Sequence, residues 1–203
     1  MPSRASAPTL GGVIDAALQF ILECDKLKAV ERRSRPVGMT RRENSAEHSW
    51  SLVLMAITLA PEVDPALDLL RILKMLTLHD IVEIDAGDTF CYADQSNKAA
   101  LEEAAADRIF HILPADRAEE FLTLWREFEE GITPEAKFAN AMDRLMPLLQ
   151  NHANNGSSWL EHGISASQVL QRANGISGVS PDLWARVLAL VESSSAAGWL
   201  RRP

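Results

Sequence analysis

The sequence predicts an all-α fold, and three observations carry that expectation. Apolar residues recur at helical spacing along almost the whole chain, no stretch alternates in the manner of a strand, and Pro, Gly or capping residues separate the periodic segments. At 203 residues, 47% of them hydrophobic, the chain is long enough for one domain, residues 1–203, with a sizeable core.

The elements follow in order. Val13, Ala17, Ile21, Cys24 and Lys28 share the face of a first helix over about 11–28. The basic connection ERRSRPVGMTRRE (31–43) is broken by Pro36 and Gly38. Asn44 and Glu47 form a capping-box pattern that opens a second helix, which runs to about residue 59 and is ended by Pro61. A third helix is expected over 65–86, stopping at Gly87, followed by a loop over 88–97. A fourth spans 98–113. After Pro114 a fifth covers 115–130, carrying Phe121, Leu124, Trp125 and Phe128, and Gly131 ends it. Thr133-Pro134 starts a sixth, 134–151. NNGSS (154–158) reads as a turn. Ser165 with Gln168 caps a short helix to residue 174, and Ser180-Pro181 opens the last, to about 193.

Bulk properties exclude several functions. A net charge of −8 with no basic stripe argues against a nucleic-acid polymer as partner. Cys24 and Cys91 match no ligand spacing and read as reduced thiols. The first ten residues hold no export-type apolar run and no stretch is long enough to cross a bilayer, so a cytoplasmic protein without membrane contact is expected.

Ionisable residues interrupt three apolar stripes. His48 aligns with Leu52, Met55 and Leu59. Ile72, Met75 and Leu76 lead to His79, Asp80 and Glu83. Asp143 lies between Ala139 and Met146. A lone histidine on an apolar face is usually a core residue bonded to a carbonyl. A buried carboxylate, however, needs a partner or a metal. Two imidazoles and two carboxylates from three helices form a ligand set for one divalent cation among Mn, Co, Fe, Ni, Zn and Mg, with open positions for water and substrate. Glu83 is i+4 from His79 and i+3 from Asp80, on the same face one turn on; the alternative is an ordinary exposed Glu. Pro147 leaves the Asp143 carbonyl without its helical donor, which predicts a kink. His111, His152 and His162 are not needed for the site, and Trp125 and Trp184 sit at core-like spacing.

The strings RRENSAEHSW (41–50), LHDIVEIDAGD (78–88) and AMDRLMPLLQ (141–150) resemble the HD-domain hydrolases, more narrowly the branch containing the 5′-deoxynucleotidases. The match covers about residues 18–151, with the helices of 152–203 expected to pack on that core. The resemblance implies an HD-domain helical bundle with the metal between helices. It also implies His48, His79, Asp80 and Asp143 as ligands, Glu83 in proton transfer and Asp88 lining the substrate pocket. Those nucleotidases carry an Arg closely followed by Trp after the first helix. Here ERRSRP offers Arg32 or Arg33 but no Trp, so relaxed choice between deoxyribose and ribose is expected.

The implied chemistry is hydrolysis of a small phosphorylated substrate, a nucleoside 5′-monophosphate, with Glu83 and Asp88 catalytic. Arg32, Arg33, Arg42 and Asp88 are the substrate-binding candidates, and Arg41 and Lys98 are further phosphate-binding candidates. Triphosphate or cyclic-nucleotide hydrolysis, and a non-catalytic binding protein, are the alternatives. The resemblance also favours a homodimer, expected to form on apolar helical faces such as that of Phe121, Leu124, Trp125 and Phe128.

Overall fold

The computed structural model describes residues 12–88 and 98–201. Residues 1–11, 202–203 and 89–97 of the expected 88–97 loop, Phe90 and Cys91 among them, lie outside the described residues. The helices are α1 (Val13–Cys24), α2 (Ser45–Val63), α3 (Leu69–Leu78), α4 (Glu83–Ala86), α5 (Lys98–Phe110), α6 (Ala115–Glu130), α7 (Pro134–Ala153), α8 (Ser157–His162), α9 (Ala166–Ala173) and α10 (Pro181–Ala196). Tight 3₁₀ turns extend α1 over Asp25–Ala29 and α9 over Asn174–Gly178. Among the described residues there is no strand, only two isolated bridges. No described helix is long and apolar enough to cross a membrane.

Helix α7 is the axis of the fold. It packs on α2, α3 and α6 from one side and on α8, α9, α10 and the second 3₁₀ turn from the other. Leu52, Ile72, Met75, Leu76, Phe110, Trp125, Phe138 and Met142 form the interior of the first group. Val169, Ala173, Ile176, Val187 and Val191 bury the C-terminal helices.

Local chemistry sets most boundaries. Asn44 and Glu47 make the reciprocal capping box at the start of α2. The Thr133 hydroxyl accepts from the Ala136 amide at the start of α7, and Gly131 closes α6 in the left-handed conformation (φ 62°). Other boundaries differ from expectation. Pro61 lies within the last turn of α2, which continues to Val63, because a proline there costs only one hydrogen bond near an end already fraying. The NNGSS turn leads directly into α8, a helix that its short polar sequence conceals. The expected third helix is broken: α3 ends at Leu78 and α4 begins at Glu83.

The expected faces of α1 and α6 also differ. In α1 Phe20 is the buried residue, whereas Val13 and Ile21 are exposed. Leu124, Trp125 and Phe128 of α6 are buried within the chain, with Phe121 packed against them, so that helix presents no docking face. An exposed apolar stripe does run along α2 at Trp50, Leu54 and Ile57, spaced i, i+4, i+7.

Candidate metal centre

The centre begins with the connection that precedes α2. Antiparallel backbone bonds fold it back on itself: the Arg32 amide donates to the Glu43 carbonyl (2.9 Å), the Glu43 amide to Ser34 (3.0 Å) and the Ser45 amide to Val30 (3.0 Å). This pairing carries Arg32 and Glu43 to the N-terminal end of α2, whose first turn holds Ser45 and the fully buried His48.

The break after α3 supplies the second part. The His79 amide still bonds to Met75 in the α pattern. Ile81, Glu83 and Ile84 then donate to carbonyls three residues back, at 3.1, 2.9 and 3.2 Å. Three residues per turn eclipses positions i and i+3, so Asp80 and Glu83 stack on one side instead of drifting apart. His79 Nδ1 bonds to the Leu76 carbonyl at 2.9 Å. Its Nε2 is buried, 3.1 Å from Asp80 Oδ1 but without the alignment of a hydrogen bond.

Helix α7 brings Asp143, whose Oδ1 lies 3.0 Å from His48 Nε2. One ligand atom each from His48, His79 and Asp80 falls within 4.8 Å of the others, and Asp143 joins through His48. The orphaned His79 Nε2, two imidazoles and two carboxylates fit a divalent cation of borderline or hard character. Behind His48, Glu43 is 1% exposed. It accepts from the Ser34 hydroxyl (2.8 Å) and the Gln150 amide (2.5 Å), and its Oε2 lies 3.6 Å from His48 Nδ1. At that distance it makes no hydrogen bond to Nδ1, which is buried without one, but it sets a negative charge behind the imidazole where a ligating histidine usually has its carboxylate partner. Nothing in the sequence singles out Glu43, which reads as one more charge in a charged connection.

Arg32 fills the space between the carboxylates. Its Nη1 donates to Asp80 Oδ2 at 2.7 Å and lies 3.9 Å from both Glu83 Oε2 and Asp88 Oδ1. Burial alone would raise the Asp80 carboxyl, but His79 and Arg32 outweigh it and hold the group below the usual range. Asp143 is likewise raised by burial and lowered, with net effect, by His48 and His79. Burial disfavours charge on His79, yet Asp80 and Asp143 push it up to about 9. Glu83 goes the other way: burial and the Asp80 charge push it up to about 8 against Arg32 and the Ser45 hydroxyl, which donates to Glu83 Oε2 at 2.6 Å. Asp88 is raised mainly by burial.

These groups open onto a cavity of about 250 Å³. Arg32, Arg33, Asp80, Glu83, Asp88, Lys98 and Asp143 line it. Arg41 and Arg42 do not: Arg41 pairs with Glu47 (2.6 Å) and Arg42 with Glu161 (2.8 Å). α7 runs unbroken through Pro147, which also borders the cavity. The far wall was not anticipated. It comes from Leu148, Trp159, Ile164 and Val169, with Arg144 and Arg172 beside them. Their apolar members read as ordinary core from sequence alone.

Comparison with known proteins accords with this geometry. The family model described as HD domain matches residues 24–184. The 5′-deoxynucleotidase HDDC2 of Homo sapiens is 30% identical over 154 residues, 74% of each chain. The protein of that name from Danio rerio is 29% identical over 143 residues, 68% of this chain and 70% of its own. A crystal structure named as a predicted metal-dependent phosphohydrolase, from Magnetospirillum magnetotacticum MS-1, superposes with a TM-score of 0.90 at 41% identity, covering 97% of this chain and 100% of its own.

The arrangement yields a test by metal analysis. His79→Ala is expected to lose a tightly held divalent ion, and Glu43→Gln to keep its fold while binding the ion about 10–100-fold more weakly, the usual cost of removing a partner behind a ligand. Chelator competition read by elemental analysis measures both. Wild-type metal affinity in Glu43→Gln would remove that carboxylate from the centre.

Proposed function

The chain belongs to the HD-domain family, and on that premise we propose that it is a metal-dependent phosphohydrolase releasing phosphate from nucleoside 5′-monophosphates. The observation that carries this reading is the convergence of His48, His79, Asp80 and Asp143 with Arg32, Glu83 and Asp88 on one cavity. The names of its relatives support it: the human protein is called a 5′-deoxynucleotidase and the Magnetospirillum protein a metal-dependent phosphohydrolase.

In this reading His48, His79, Asp80 and Asp143 would hold a divalent cation, which when bound would supply Lewis-acid chemistry toward the phosphate ester and the attacking water. Arg32 binds and orients the phosphate, its guanidinium already at the cavity wall and flanked by three carboxylates that keep it from swinging away. Arg33 and Lys98, at the same cavity, add positive charge. Glu83 moves the proton. Buried at the cavity wall beside Asp80, its carboxyl is the group placed to carry a proton to the leaving 5′-oxygen. The Ser45 hydroxyl fixes its orientation. Asp88 offers acceptor oxygens to the sugar end of the substrate.

Glu83→Ala is expected to retain metal and fold while losing about 10²–10⁴-fold in kcat, as for removal of one general acid or base. Phosphate release from a panel of mono-, tri- and cyclic nucleotides on metal-loaded protein tests the substrate class. Turnover confined to tri- or cyclic nucleotides would overturn the monophosphatase reading.

Sugar selectivity follows from the same wall. No tryptophan follows Arg32 or Arg33. Trp50 is 67% exposed and does not line the cavity, so no aromatic from the connection or from α2 crowds the sugar. The ratio of kcat/KM for dAMP over AMP is expected to stay below about 10², the scale for apolar pockets rejecting a hydroxyl. A larger ratio would assign discrimination to another side chain, with Trp159 the aromatic at the cavity among the described residues.

The homodimer belongs to this reading too, with the α2 stripe of Trp50, Leu54 and Ile57 as its two-fold face. Light scattering is expected to give a dimer mass for the wild type and a monomer mass for Leu54→Glu. A monomeric wild type at micromolar concentration would refute it.

A further inference from the structure

Two arginines of the cavity have no role in the metal centre. Arg144 follows Asp143 on α7, and Arg172 reaches the same cavity from α9. Among the described residues Arg144 makes no hydrogen bond and no ion pair within 4 Å, and its Nε is buried without a partner. Arg172 has one nearby carboxylate, Asp143 Oδ2 at 3.8 Å, too long for a hydrogen bond. Gly175 makes room for this placement, because any Cβ there would collide with Arg144 Nη1. Arg172 and Asp143 both lie near enough for their charges to act on Arg144. Two guanidiniums held side by side at a cavity wall, one of them part-buried and unpaired, are unfavourable until an anion joins them.

We propose that Arg144 and Arg172 form a phosphate-binding subsite of this cavity, gripping a phosphate group of the nucleotide between them. The identity of the ligand as a nucleotide rests on the function proposed above; its charge and size rest on the two arginines alone. Planar guanidiniums match phosphate oxygens with paired donors. The 3.8 Å gap to Asp143 leaves Arg172 free to turn its donors to an incoming oxygen. The phosphate is either the scissile 5′-phosphate, reached beside Asp143, or the 3′-phosphate of a nucleotide that carries one as well.

Calorimetric titration of metal-loaded, full-length protein tests the subsite without relying on turnover. The probes are inorganic phosphate and a non-hydrolysable nucleoside 5′-phosphonate carrying a 3′-phosphate. The variants are the double substitution Arg144→Gln with Arg172→Gln, Gly175→Ala, which keeps both charges but displaces Arg144, and Lys137→Gln as an exposed charge control away from the cavity. The double variant is expected to bind about tenfold or more weakly at unchanged metal content, the scale of losing hydrogen bonds to a charged group. Lys137→Gln is expected to bind as wild type. Weakening for both probes supports the subsite and puts the scissile phosphate there; weakening for the phosphonate alone supports it and puts the second phosphate there. Unchanged affinity for both probes overturns it. Should the double variant lose metal or fold, Gly175→Ala decides by the same criterion. Protein that shows the weakening yet hydrolyses no nucleotide would refute the proposed function and leave the subsite standing.

Discussion

Four carboxylates, those of Asp80, Glu83, Asp88 and Asp143, crowd a largely buried space around the guanidinium of Arg32, with Arg172 3.8 Å from Asp143 at its edge. Arg32 alone lies among three of them, and at low dielectric the excess negative charge favours protons on its neighbours. His79 is pushed up to about 9 by nearby negative charge against the effect of its burial, and Glu83 to about 8 by burial and the Asp80 charge together. A divalent cation answers the same imbalance with two charges at one point. Its ligands must be deprotonated, so binding would release the proton held on His79. The architecture around the cluster is what keeps these groups from relaxing apart.

Two backbone devices perform that task. The paired connection fixes Arg32 and Glu43 by main-chain bonds, so neither depends on a flexible loop for its position. The tightened segment after α3 trades a regular helix for a stack of Asp80 over Glu83. An α-helix would separate residues three apart by about 60° in projection. Here Asp80 and Glu83 face one way while His79 lies across from His48, the ring centroids 5.8 Å apart. The break in the helix is thus part of the centre's geometry.

Much of this was legible in the residues themselves. Charged groups on apolar stripes marked His48, His79, Asp80 and Asp143, and the structure brings all four together because helical period alone puts a stripe on the core side. Caps at Asn44, Thr133, Ser165 and Ser180 were legible because each is a local hydrogen bond within four residues. What was not legible depends on distant partners. The break at His79 has no Gly or Pro to announce it. Glu43 is buried only because Gln150, 107 residues away, arrives to meet it. Arg42, placed by sequence near an anion, is claimed by Glu161 from α8, a helix hidden in what reads as a turn.

The C-terminal helices explain why the cavity suits more than inorganic phosphate. A centre that bound only a small anion would need the ligands, Arg32 and little else. Here α7 is shared: its first half carries Asp143 to the metal ligands, and its second half carries Leu148 to a wall completed by Trp159, Ile164 and Val169. Those side chains offer apolar area of the kind that buries a sugar and base, worth about 25 cal/mol for each Å² withdrawn from water. Binding energy gained there, away from phosphorus, can be used to hold the ester in line with Arg32 and Glu83. In the proposed function the acidic end carries the chemistry and the apolar wall the choice of substrate, and a single helix sets the distance between them.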